Sequence, residues 1–294
     1  QSYLRPAREA LAAQAWETVR ATLAPWLKEN KADEEARELE RQSYLRPAQQ
    51  ALGAGQWEAV LQHLGPWLEK QKEAIEQKGN FKDVYTLLVT TLRRWVDPVE
   101  IPAGDFLYGD SKQRLSLNLF RISRAPVTNS QYKAFVDATH REPPSHWANG
   151  LMPADKENHP VVNVSWDDAQ AFCQWAGLRL PTEQQWEKAA RGTDGRAYPW
   201  GNQPPSGDLC NFNNIVGGTT PVGQYPQGAS PYGLLDMAGN VFEWCENLYE
   251  GQSNARVIRG GAYNMDASWV GCAYRDGVNQ GNRGANGGFR VVRP

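Results

Sequence analysis

The order of apolar and polar positions changes character near residue 98. Before it, apolar residues return at helical intervals, as with Leu11, Ala15, Val19 and Leu23, and later Leu52, Val60 and Leu64. This spacing gathers them on one helix face, and Pro25 and Pro66 are expected near interruptions. The two stretches are copies: QSYLRPAREALAAQAWETVRATLAPWL from Gln1 returns as QSYLRPAQQALGAGQWEAVLQHLGPWL from Gln42, a shift of 41 residues. Helical hairpins repeated this way bury their apolar faces by stacking on neighbours. The expectation is therefore an all-α helical-repeat segment over 1–78, with Trp16 and Trp57 as packing knobs and further copies before Gln1. KENKADEEARELERQ, between the copies, reads as a charge-rich connector, either a solvated helix face or a loop. After a turn at Gly79 and Asn80, FKDVYTLLVTTLRRWV predicts a linker helix within 79–98, and Asp97-Pro98 marks the boundary of a domain over 99–294.

Beyond Val99 the apolar runs shorten and Gly, Pro, Asn and Trp become frequent, the pattern of a loop-rich domain. Two helices are well specified within it. SWDDAQAFCQWAG offers Ser165 as N-cap with Asp168 three residues on, then an apolar stripe of Ala169, Phe172, Cys173 and Ala176 before Gly177. LRLPTEQQWEKAARG repeats the device with Thr182 and Gln185, places Trp186, Ala189 and Ala190 on one face, and stops at Gly192.

Composition narrows the function classes. The 294 residues suffice for about two domains, each with its own core. A net charge of -2 provides no broad positive field, so no nucleic acid is expected as a partner. No apolar run approaches the roughly 20 residues of a membrane span, and QSYLRPAREA lacks the apolar centre of a signal peptide. Cys173, Cys210, Cys245 and Cys272 show no CxxC or Cys/His ligand spacing, which fits buried thiols in a reducing compartment. Localisation reads as cytoplasmic, provisional on a truncated amino terminus. His63, His140, His146 and His159 have no ligand spacing, and no nucleophile elbow or phosphate loop is present.

IPAGDFLYGD, APVTNSQYKAF, HPVVNVSWDDAQAFCQWAGLRLPTEQQWEKAARG, YPWGN, SPYGLLDMAGNVFEW, RGGAY and GGFRVV follow one another in this order. The series resembles the formylglycine-generating-enzyme (sulfatase-modifying-factor) family throughout Val99–Pro294. The resemblance implies an α+β, C-type-lectin-like fold: a small twisted mixed sheet, two helices and irregular structure stabilised by buried tryptophans. Enzymes of the family carry a copper-holding cysteine pair soon after the GGSY-like turn. Here that stretch reads GGAYNMDASWVGCAYRDG, and Cys272 matches the later structural cysteine of the family. One thiolate cannot supply a site that needs two, so no catalytic residue is expected. The related iron-dependent sulfoxide synthases need a histidine triad that the sparse histidines do not provide. The resemblance also places a structural calcium ion at Asp236, Gly239, Val241 and Glu243, oxygen donors suited to a hard cation. The alternative is a salt-linked or hydrogen-bonded structural loop. No other cofactor is required.

The last segment, RGGAYNMDASWVGCAYRDGVNQGNRGANGGFRVVRP, is similar to the variable region of proteins diversified by diversity-generating retroelements, which use the same lectin-like fold. Arg259, Gly260, Gly261, Ala273, Arg275, Asn282, Arg283, Gly288, Phe289 and Arg290 match the framework. Adenine mutagenesis of Asn codons cannot produce Lys, Gln, Glu, Met or Trp, which marks Met265, Trp269 and Gln280 as fixed or differently encoded. Asn264, Asp266, Ser268, Gly271, Tyr274, Asp276, Gly277, Val278, Gly284, Ala285 and Asn286 remain as variable candidates, with Tyr263 and Asn279 also passing. Trp269, Tyr263 and Tyr274 are the aromatic anchors. A rigid fold displaying exchangeable side chains loses little entropy on binding. The expected protein is a non-catalytic binder of a protein or surface ligand, with a second partner available to the helical repeats. The alternatives are a formylglycine-generating-type oxidase acting on sulfatases, which lacks its cysteine pair here, and a non-variable structural adaptor.

Overall fold

The computed structural model describes residues 3–30, 33–53, 63, 97–139 and 141–293. The chain divides into two compact units, Gln1–Thr91 and Leu92–Pro294.

In the first unit, α1 (Leu4–Ala12) and α2 (Trp16–Glu29) are joined by a tight turn in which Gln14 takes φ 58°, and α3 covers Glu34–Gly53. Ala7, Ala10, Leu11, Val19, Leu23 and Ala36 form their shared core, with Trp16 packed against it. One expectation changes: Pro25 lies inside α2 without ending it. Of the two readings of the charged connector, the helix applies from Glu34, where α3 begins and runs on into the second copy through Pro47. The helix can begin there because Asp33 Oδ1 accepts the Ala36 N–H at 3.0 Å while Oδ2 accepts Trp26 Nε1 at 2.8 Å. The rest of the second copy, with Trp57, Val60, Leu64 and Pro66, and the linker helix up to residue 96 lie outside the described residues.

The second unit opens with β1 (Pro98–Ile101), the hairpin β2 (Gly104–Tyr108) and β3 (Gln113–Leu117), and β4 (Phe120–Ser123). Helices α4 (Asn129–Thr139), α5 (Trp166–Ala176) and α6 (Glu183–Arg191) follow, then β5 (Phe242–Leu248), β6 (Ala255–Arg259), β7 (Arg275–Asn279), β8 (Gly287–Gly288) and β9 (Val292–Arg293). The strands form three groups rather than one small sheet: β1-β4-β9, β2-β3 and the mixed set β7-β6-β5-β8. In that last set β8 runs parallel to β5. Both predicted capping boxes form, at Ser165/Asp168 and Thr182/Gln185. A third helix was not expected. α4 is specified by the same device, since Thr128 N–H donates to Gln131 Oε1 at 2.8 Å and Gln131 N–H to Thr128 Oγ1 at 3.3 Å.

The core joins α6 to the strands. Trp186, Ala189 and Ala190 meet Ile101, Phe120, Ile122, Met237, Val257, Cys272 and Val292, all of them buried. Among the described residues, Trp147, Trp186 and Trp244 are the buried tryptophans. A second, aromatic cluster ties α4 to α5 and to the chain end, with the Tyr132 and Phe172 rings stacked at 5.9 Å and Phe289 at 5.4 Å from Phe172. Among the described residues no helix is long and apolar enough to cross a membrane.

Candidate functional site

The segment between β6 and β9 divides into positions that hold it and positions that it shows to solvent. Arg259 is wholly buried; its guanidinium ion-pairs with Glu187 and donates to the carbonyls of Cys272 (3.0 Å) and Ala273 (3.1 Å). Glu187, also fully buried, accepts from Arg191 and from the Gly109 N–H, each at 2.6 Å. Gly261 follows at φ 71°, where a Cβ would lie 2.7 Å from Val270 and 2.8 Å from the Trp269 carbonyl. Only glycine meets both demands. At the far end Gly288, Phe289 and Arg290 are buried again. Four framework positions behave differently: Ala273 and Arg275 are half-buried, and Asn282 and Arg283 are exposed. Arg283 is nevertheless held, since its Nε donates to Asp168 Oδ2 at 2.7 Å and its Nη2 to Oδ1 at 3.2 Å.

Asp168 is the clasp for this loop. Arg141 donates to the same carboxylate at 2.9 Å, and the backbone bonds Trp166 N–H to Gln280 O and Asn163 N–H to Gly284 O run beside it. Burial alone would raise the Asp168 pKa, but Arg283, the Ser165 N–H, Arg141 and the Ser165 hydroxyl together hold it well below the usual carboxylate range.

None of the variable-surface candidates is buried. Asn264, Asp266, Ser268, Asn279 and Ala285 are exposed, and Tyr263, Trp269, Gly271, Tyr274, Asp276, Gly277, Val278, Gly284 and Asn286 are half-buried. Trp269 lies with its ring 4.8 Å from that of Tyr274 and 6.2 Å from that of Phe242, so part of this anchor is spent on packing. Asn286 Nδ2 donates to Asn264 Oδ1 at 3.0 Å and links the two ends of the surface. Gly277 departs from expectation: a Cβ there would fall 2.3 Å from the Tyr249 ring, so a side chain enters only if Tyr249 leaves.

Sequence reasoning missed a neighbour of this surface. The loop 211–218 donates from Asn213 N–H to Met265 O (2.7 Å) and from Asn214 N–H to Tyr263 O (2.6 Å), and presents Ile215 and Val216 at 57% and 53% exposure. The available signal was two β-branched residues set in a turn between Asn-Asn and Gly-Gly, where no periodicity buries them.

The loop 236–243 sets two carboxylates against one guanidinium. Glu243 is fully buried; its Oε2 accepts Trp186 Nε1 and Arg290 Nε, both at 2.6 Å, and its Oε1 accepts Arg290 Nη2 at 2.8 Å. Asp236 accepts the Gly223 N–H at 2.7 Å, and burial pushes its pKa up to about 6 with the Glu243 charge adding to the effect. The salt-linked alternative thus describes the Glu243 side. The surplus negative charge and the remaining acceptor position on Glu243 fit a hard cation. No three His, Cys, Asp or Glu side chains converge among the described residues, so such an ion would rely on the Gly239 and Val241 carbonyls as well.

All four cysteines are buried and unpaired, and burial pushes the Cys272 thiol up to about 12, away from the reactive thiolate form. His159 is buried with Nδ1 3.0 Å from the Thr219 hydroxyl, a packing role.

Residues 86–294 match the sulfatase-modifying factor enzyme 1-like domain model. The inactive C-alpha-formylglycine-generating enzyme 2 of Bos taurus is 43% identical over 240 residues, covering 60% of this chain and 77% of that protein. The formylglycine-generating enzyme of Mycobacterium tuberculosis is 32% identical over 217 residues, covering 50% of this chain and 72% of its own. The serine/threonine-protein kinase pkn1 of Chlamydia caviae is 31% identical over 240 residues; the match covers 68% of this chain but only 38% of the kinase's length. Among solved structures, Treponema denticola variable protein 1 superposes with a TM-score of 0.55 at 23% identity, over 67% of this chain and 95% of its own. These relatives include proteins named as enzymes and one named as inactive.

Proposed function

Because the chain belongs to the sulfatase-modifying factor family, we propose that it uses the family's lectin-like fold as a non-catalytic scaffold that displays an exchangeable ligand-binding surface on the segment from Tyr263 to Asn286. One observation carries this reading: buried anchors at Arg259, Gly261, Phe289 and Arg290 enclose a run whose candidate contact positions all reach solvent. Side chains at such positions can change with little effect on the core, which is what a diversified surface needs. The ligand is a protein or another surface, met by Trp269, Tyr274 and Tyr263 as aromatic contacts. A calcium ion held by Asp236, Glu243 and the Gly239 and Val241 carbonyls would stiffen the neighbouring loop and neutralise its surplus charge.

Sequencing the last coding segment across a population of the source organism tests the display role. Differences concentrated at the thirteen candidate positions that pass the codon filter, together with a near-copy of the segment differing at adenines, are expected. Differences spread equally over Arg259, Gly261, Phe289 and Arg290 would refute it. The oxidase alternative predicts oxygen consumption by the purified chain with copper and a cysteine-containing sulfatase peptide. The buried, lone Cys272 predicts none.

A further inference from the structure

A concave site lies beside the displayed segment and draws half its wall from elsewhere. The turn of the β2–β3 hairpin brings Tyr108, Gly109 and Asp110 opposite Ala273, Tyr274 and Arg275, around an open space of about 340 Å³ floored by Glu187. That volume admits one long side chain and is too small for a folded element.

Its charges are unevenly matched. Arg275, the cation on its wall, is already engaged: Glu183 lies 2.9 Å from its Nε and Glu250 3.3 Å from its Nη1. Two carboxylates thus answer one guanidinium. Glu187 on the floor is compensated by Arg191 and Arg259. Asp110 is exposed at the rim. The walls are aromatic. Tyr108 keeps its proton, because burial and the neighbouring Glu183 charge raise its pKa far above the ordinary phenol value, and its hydroxyl is bonded to Glu183. The Tyr274 ring packs against that of Trp269.

Two aromatic side chains, a rim carboxylate and a guanidinium already ion-paired with two carboxylates make a poor receptor for an anion and a good one for a cation with an apolar stem. We propose that this cleft receives a lysine or arginine side chain of the protein ligand, its stem between Tyr108 and Tyr274 and its charge toward Asp110. The inference rests on the ligand-binding reading of the displayed segment but fixes a chemistry for it. The hairpin contribution is constant, so versions of the surface that keep an aromatic ring at position 274 would share this cationic preference while the rest of the contact changes.

Ligand-observed NMR on the full chain provides the test, with the N-acetyl methylamides of lysine, arginine, norleucine and glutamate as probes. The lysine and arginine probes are expected to bind at least about fivefold more tightly than the other two. Added salt should weaken them. Asp110→Asn and Tyr274→Ala should each erase about that margin; the thermal melt of Asp110→Asn should match the parent, since Asp110 is exposed, and Tyr274→Ala should still melt cooperatively. Equal binding of lysine and norleucine probes, or a margin that survives Asp110→Asn, would overturn the cationic assignment. That failure stays distinct from failure of the display reading, which the population sequencing decides independently.

Discussion

The end of the chain contains two kinds of position in one short stretch, and they obey opposite rules. Arg259 and Arg290 are held by buried carboxylates and carbonyls, and Gly261 by a left-handed backbone and close neighbours. At Asn264, Asp266 and Ser268 the side chains meet water and each other; Ser268 Oγ donates to Asp266 at 2.5 Å, an exchange that solvent could replace. The contrast teaches that specificity of fold and freedom of contact can be interleaved residue by residue, provided the fixed positions carry the charge pairs and the tight turns.

The sharpest way to break this comparison is at a buried pair. Arg290→Ala leaves Glu243 charged and unpaired, and is expected to destabilise the second unit by about 3–5 kcal/mol in denaturant unfolding. A loss below about 1 kcal/mol would show that the framework is not what holds the segment. Next comes the neighbouring loop. Removing calcium with a chelator should lower the melting temperature, by a free energy of about 2–3 kcal/mol if the ion is present at about a hundred times its dissociation constant. No shift, in the parent and in Asp236→Asn alike, removes the ion from the account.

Gly261→Ala should cost about 2 kcal/mol, because its Cβ meets Val270 and the Trp269 carbonyl in a left-handed conformation. Asp168→Asn should cost roughly 1 kcal/mol, discounted because Arg141 and Arg283 are partly exposed. The sign of its pH dependence follows from the lowered folded-state pKa: the clasp stabilises above the ordinary value of 3.8 and is lost as pH falls below it. Acid titration of unfolding should therefore steepen below about pH 4 in the parent and flatten in Asp168→Asn. Smallest of all, the triple change of Asn264, Asp266 and Ser268 to Ala should shift stability by no more than about 0.5 kcal/mol per site while changing which ligands are captured. A large stability loss there would erase the distinction between the two kinds of position.

What the sequence could reveal depended on how local the cause was. The caps of α5 and α6 are specified within four residues and were legible. α4 carries the same signal in Thr128 and Gln131, but it lay inside a stretch noted only for its resemblance. Pro25 was expected to interrupt α2, yet the helix continues past it, packed through Leu23 and Trp26 against its neighbours. The sheets were hidden for a different reason: β8 and β9 have two residues each, too few for any periodicity, and β4 pairs with β9 across most of the domain. The candidate positions of the last segment are exposed or half-buried, but so are the framework residues Asn282 and Arg283. The crowding at Gly277 was not legible, because the Tyr249 ring that fills its side-chain space comes from the preceding strand connection. The cleft was invisible to sequence, since Tyr108 and Tyr274 are brought together only by the fold.

The parallel pairing of β8 with β5 has a mechanical consequence. β5 is flanked by β6 on one side and β8 on the other, so the displayed stretch leaves and returns to opposite edges of a single strand. Its two ends are therefore suspended about 10 Å apart whatever lies between them. Between those ends β7 and Cys272 stay fixed, so the free spans are the turns on either side, and a turn that doubles in length adds only about 0.6 kcal/mol of closure entropy. Those turns can be exchanged or lengthened without asking the strand that carries them to move.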